Sequence, residues 1–150
     1  MTIKNYTSQI SAMRSIGLIE AKLAAKGASQ ILKEYDPEGK VEGIAFIIKI
    51  DGVDMPFKLP AKVDECGIIL KSRYKKVTSS TLKNIKAQAE RTSWKVVLDF
   101  VDVMLTMIEL RQAEFMQVFM PYLYDHSKRQ TYFEKVKEKG FQKLLPPAEK

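Results

Sequence analysis

The sequence predicts an α+β fold: an N-terminal helix on a three-stranded antiparallel meander, followed by a helical half built around one long, mostly buried helix. Three observations predict it. Apolar residues recur at three- and four-residue steps before residue 27 and again from residue 79 onward. Between those stretches lie three β-rich runs separated by PEGK and DG. The third run, VDMPFKLP, alternates strictly between apolar and other residues. At 150 residues with 45% apolar and 29% charged content, the chain has enough material for one ordinary globular domain without disulfides or structural metal. It divides into an α-β-β-β-α portion, residues 1–77, and a helical portion, residues 78–150.

The first helix is expected over residues 11–26, where Met13, Ile16, Ile19 and Leu23 share a face and Gly27 supplies the stop. QILKEYD and VEGIAFIIKI then read as strands. Asp51-Gly52 between two β-rich runs is a strong hairpin signal, because both central residues of a type I′ turn need positive φ. In the third strand Val53, Met55, Phe57 and Leu59 point to one buried face, and Pro56 marks it as an edge. A short helix is expected over Val63–Lys76, with Asp64 and Glu65 favourable in its first turn. After the break VTSS, Ser79 or Ser80 would cap a long helix running to about Gln112, or as far as Met120 before Pro121. A last helix near Gln130–Lys139 stops at Gly140, leaving FQKLLPPAEK as an extended arm.

On a helical wheel the long helix carries a polar stripe of Asn84, Gln88, Arg91, Lys95, Asp99, Asp102, Thr106 and Glu109. From Trp94 onward an apolar arc of roughly 220° replaces the narrow stripe of its first turns, about twice the width a surface helix needs. The helix is thus expected to start exposed and to end in a core or a subunit interface. The Met- and Phe-rich AEFMQVFMPYLYD downstream extends the apolar surface. A homodimer or higher homo-oligomer is therefore expected.

Charge is distributed very unevenly. Residues 70–95 hold eight of the 25 basic residues and one of the 18 acidic ones, so the remaining 124 residues carry seventeen of each. The whole net charge of +7 lies in one segment. Several cations within one footprint, with an aromatic for base stacking, are what binding a nucleic acid or another polyanion requires. Lys71, Arg73, Lys75, Lys76, Lys83, Lys86, Arg91 and Lys95 are the expected phosphate contacts, and Tyr74 and Trp94 the expected stacking residues. A solvated face is the competing reading, since Lys and Arg favour helix C-termini through the dipole alone.

Enzymatic signals are weak. No P-loop or G-x-G-x-x-G occurs, and one histidine with one cysteine cannot build a common zinc site, so neither metal nor cofactor is expected. His126 lies in a turn-like stretch, and Cys66 reads as a buried structural thiol. Asp99 and Asp102 share a helix face and could touch one ion, but they read more simply as part of a solvated stripe with Lys95. A non-enzymatic protein is expected. The single cysteine favours a reducing, cytoplasmic setting. The N-terminus lacks the apolar core of a signal peptide, and the hydrophobic stretch Val96–Leu110 is too short and too often interrupted by acids to span a bilayer, so no membrane association is expected.

Taken in order, ISAMRSIGLIEAKLAAKGASQILKEYD, FKLPA, AERTSWK, VFMPYL and KGFQKLLP resemble a family of short, uncharacterised bacteriophage and prophage proteins. Members share a strand ending F-[KR]-L-P-A, an A-E-R-x-[AS]-W helix and an F-[LM]-P-Y segment. The resemblance implies a protein acting in the cytoplasm of a bacterial host, in a replication or recombination setting, and supplies no activity. It favours a nucleic-acid-binding accessory protein. The alternative is an inhibitor of a host antiphage defence system, acting on a nucleic-acid-guided complex or holding a nucleotide signal in a pocket. Arg111, Tyr122, Tyr124, Lys128 and Arg129 are the candidates for that pocket.

Overall fold

A computed structural model describes residues 2–149. Helix α1 (Ala12–Ala25) is capped by Ser11, whose hydroxyl accepts from the Arg14 amide at 3.1 Å, and Gly27 ends it at φ 104°. Strands β1 (Gln30–Tyr35), β2 (Val41–Ile50) and β3 (Val53–Pro60) form an antiparallel sheet in the order β1-β2-β3. The expected meander is present. Asp51 and Gly52, at φ 49° and 80°, make the β2–β3 turn as their sequence requires. β3 is an edge strand, as Pro56 implied, although Leu123 adds an isolated antiparallel bridge to Phe57. Its apolar row is buried only at Phe57 and Leu59, while Val53, at the hairpin end, is exposed.

One face of the sheet presents Ile44, Phe46, Ile48, Phe57 and Leu59 to α1 and to the long helix α3 (Ser79–Glu109). Ile16, Ile19 and Leu23 come from α1, and Trp94, Leu98, Val101 and Leu105 from α3. Phe119, from the short helix α4 (Phe115–Phe119), closes the core edge-on to Phe46, Phe57 and Phe100. The short helix α2 (Val63–Lys71) packs on the first turns of α3, outside the main core.

α3 ends at Glu109, earlier than expected. Arg111 adopts φ 59°, its amide donates to Ile108 O at 3.0 Å, and the Gln112 amide donates to Met107 O at 2.9 Å. That is the paired hydrogen bonding of a Schellman stop, made here with an arginine where glycine is usual. After α4 a single 3₁₀ turn (Met120–Tyr122) leads into a two-stranded ribbon, β4 (Tyr124–Asp125) and β5 (Gln130–Thr131). The last helix, α5 (Tyr132–Lys139), starts at Thr131, whose side chain exchanges hydrogen bonds with Glu134, and ends at Gly140. A 3₁₀ turn over Phe141–Leu144 replaces the first part of the expected extended arm. No described helix is long and apolar enough to cross a membrane.

Candidate nucleic-acid interface

The basic segment folds into the tip of a helical hairpin made by α2 and the start of α3. Leu70, Ile85 and Ala89 form a small core of their own, with Ile3, Val63, Cys66 and Val77 packed against it. Gly67 faces Ala89 across the seam: a Cβ there would meet that of Ala89 at 3.8 Å, an ordinary contact. Cys66 is half-buried on this seam, and burial pushes its thiol above the ordinary value against a smaller opposing pull from Ser93. The thiolate is therefore disfavoured, in keeping with a structural role.

α2 ends at Lys71, five residues before the expected stop. The Ser72 hydroxyl donates to Ile69 O at 2.6 Å, and the amides of Arg73 and Tyr74 reach back only three residues, to Leu70 O and Lys71 O. A hydroxyl that bonds the preceding turn competes with continued helix. Lys75 and Lys76 consequently lie in the connecting loop. α3 is capped one residue before the expected position, by Thr78, whose hydroxyl accepts from the Thr81 amide at 3.2 Å. The positive end of the α3 dipole thus sits among the lysines.

Lys71, Arg73, Tyr74, Lys75, Lys76, Lys83 and Lys86 are all exposed. Among the described residues, no ion pair involves Lys71, Lys75, Lys76, Lys83 or Lys86. The Arg73 guanidinium lies over the Tyr6 ring, 4.5 Å from its centroid. Glu90, the one acid of the segment, faces Lys40 across to the β1–β2 turn at 3.7 Å. Lysines of α1 and the sheet, in contrast, meet carboxylates: Lys22 meets Asp102 at 2.8 Å, Lys26 meets Glu109 at 2.6 Å, and Lys58 meets Glu34 at 2.6 Å.

Three of the expected contacts belong to the architecture instead. Trp94 is fully buried and its indole Nε1 donates to Val41 O at 3.2 Å, so it offers no face for stacking on a base. Arg91 donates from Nε to Ser8 O at 3.1 Å and from Nη2 to Gln88. Lys95 is bound to Asp99. For Trp94 the partner is β2; for Arg91, and for Asp99 that holds Lys95, it is a strap formed by residues 2–10, which crosses α3 along the polar stripe. Gln88 Nε2 also donates to Ser8 O, Thr92 Oγ1 donates to Asn5 O at 2.9 Å, and Asn5 Nδ2 donates to Asp99 Oδ2 at 2.8 Å. The stripe read as solvated is a docking track for this strap and, further along, for α1.

The same contacts leave the carboxylates little role in holding a metal. Burial draws the Asp99 carboxyl upward, but hydrogen bonds from Lys95 and Asn5 and the charges of Lys95 and Lys4 outweigh it and hold the group below its ordinary value. No group of three or more metal-ligating side chains is assembled among the described residues.

The five residues of the alternative pocket, expected between subunits, occupy different elements of the single chain. Tyr122 packs edge-on to Phe100 with ring centroids 5.8 Å apart, on the core side. Arg111 forms the α3 stop, and Lys128 and Arg129 lie exposed in the β4–β5 turn, organised by Asp125 Oδ1. Tyr124 lines a shallow cavity of about 170 Å³ shared with Gln130, Tyr132 and Lys135. His126 sits edge-on to the Tyr124 ring at 4.8 Å.

Comparison with family models, curated proteins and solved structures finds no match to this chain.

Proposed function

We propose that the protein is a non-enzymatic nucleic-acid-binding accessory protein, in the phage replication or recombination setting that its sequence resemblance implies, and that the tip of the α2–α3 hairpin is its contact surface. One observation carries this reading: five exposed lysines with no acidic partner among the described residues crowd one turn and the adjoining helical turns, in a segment whose one acid, Glu90, is turned toward Lys40. Unpaired cations on one face condense phosphates and release their counterions. Tyr74, half-exposed between Arg73 and Lys75, is the remaining stacking residue.

Fluorescence anisotropy with labelled single-stranded and duplex DNA and RNA, over a salt series, tests the reading. Engagement of all five lysines predicts a log–log salt slope of about −4.5 on duplex DNA and about −3.5 on single strands. The variant Lys75→Glu, Lys76→Glu, Lys83→Glu, Lys86→Glu should lose binding and keep its fold, because carboxylates in the first turns of α3 suit the helix dipole. Undiminished binding by that variant, or no binding by the native protein at low salt, overturns the proposal.

A further inference from the structure

We propose that α3 carries a second, largely open apolar seam that pairs antiparallel with α3 of a second copy of this chain. The first seam, Trp94, Leu98, Val101 and Leu105, is buried against the sheet and α1. On the opposite side of the same helix, roughly 180° away by residue angle, run Val96, Phe100, Val103, Met107 and Leu110. Val96, Val103 and Leu110 are exposed at 40, 53 and 62%, Met107 is half-buried, and Phe100, also half-buried, has one side against Phe119 and Tyr122. A surface helix ordinarily presents polar residues in the direction facing away from its core. Here that direction is apolar for about 21 Å of helix.

The spacing of this row identifies its occupant. Steps of four, three, four and three residues average 3.5, the period at which two helices keep one seam facing another while wrapping left-handedly. The best complement to such a row is another helix with the same row, and a second copy brings one. The borders do not oppose it. Asp99, Asp102 and Glu109, which lie to one side, are each matched within the chain by Lys95, Lys22 and Lys26. On the other side Tyr122 extends the apolar surface through its contact with Phe100.

Charge selects the orientation. The net charge of +7 is concentrated at the α3 N-terminal tip, and the seam occupies the C-terminal half of the same helix. Parallel pairing would set two unpaired lysine clusters side by side. Antiparallel pairing about the middle of the seam puts Lys83 of one copy about 60 Å from Lys83 of the other, far beyond the Debye length of about 8 Å at physiological salt. Val96 of one copy then lies level with Leu110 of the other, and Phe100 with Met107. This inference is independent of what the basic tip binds.

Sedimentation velocity of the full chain from low to high micromolar concentration should show a monomer–dimer equilibrium. Val103→Glu, at a half-exposed position the monomer tolerates, should weaken the dimer roughly a hundredfold by burying an unpaired charge, with an unchanged circular dichroism spectrum. Nitroxide labels at Lys83→Cys in a Cys66→Ala background should give a pulsed-EPR distance of about 60 Å between copies. A native chain that stays monomeric throughout, or a Val103→Glu chain that dimerises normally, overturns the seam. A distance below about half that value overturns the antiparallel arrangement.

Discussion

Replacing Trp94 with phenylalanine separates its structural role from the stacking role its sequence context suggests. The indole is fully buried, and its Nε1 satisfies the Val41 carbonyl at the start of β2, at 3.2 Å. Phenylalanine fills most of the space but donates nothing. Leaving that carbonyl without its donor costs about 1–2 kcal/mol, and the lost ring volume adds about 1–2 kcal/mol. A total near 3 kcal/mol corresponds to a fall in Tm of about 6–12 °C for a domain of this size. Urea denaturation followed by far-UV circular dichroism is the appropriate assay, because Trp94 is the only tryptophan and the variant loses its fluorescence. The midpoint should fall with the slope unchanged. In the native protein the same burial predicts blue-shifted emission that resists acrylamide and does not respond to added nucleic acid. A loss below about 1 kcal/mol, or quenching on addition of nucleic acid, refutes the assignment of Trp94 to the core.

Two further outcomes follow from the strap and from the α3 stop. Asp99 has a native pKa below its unfolded value, so it contributes stability above the unfolded pKa that is lost as pH falls through the native one. Acid titration of stability should show this loss beginning below about pH 4, and Asp99→Asn should flatten that part of the curve and lower hydrogen-exchange protection in residues 2–10. An identical acid limb in the variant would mean the strap is held without this carboxylate. Arg111→Gly should raise stability by about 0.5–1 kcal/mol, since arginine at φ 59° carries a left-handed penalty that glycine avoids. A decrease in thermal denaturation midpoint would show that the Arg111 side chain makes a contact worth more than the strain.

Local chemistry made much of the fold legible. Positive φ is cheap for Asp-Gly, so the β2–β3 turn and the register it sets follow from two residues. Gly27 and Gly140 stop their helices for the same reason. Where the usual residue is absent, the reading failed: an arginine took the left-handed position and α3 stopped at Glu109, and a serine hydroxyl ended α2 before the lysine run. The basic tip was visible as a charge imbalance, because unpaired charge shows in composition. Its membership was not. On a helical wheel Arg91 and Lys95 sit on a polar stripe that reads as exposed, and Trp94 sits at the end of the stretch expected to be exposed, where nothing local says it is covered. The partners of Arg91 and Trp94, Ser8 and Val41, lie 83 and 53 residues away in the chain.

By itself the sequence determined the first helix, the three-stranded meander, the α2 and α3 helices and the last helix in their order, because helix periodicity, strand alternation and turn propensity act within a few residues. It also determined that the excess positive charge belongs to one segment. Tertiary structure alone decided which of those charges remain unpaired. That outcome depends on where residues 2–10 and α1 settle along the polar stripe of α3, and a wheel shows the direction a side chain takes but not the chain that comes to meet it. The two apolar rows of α3 were likewise indistinguishable by periodicity. Only packing against the sheet buried one and left the other facing outward.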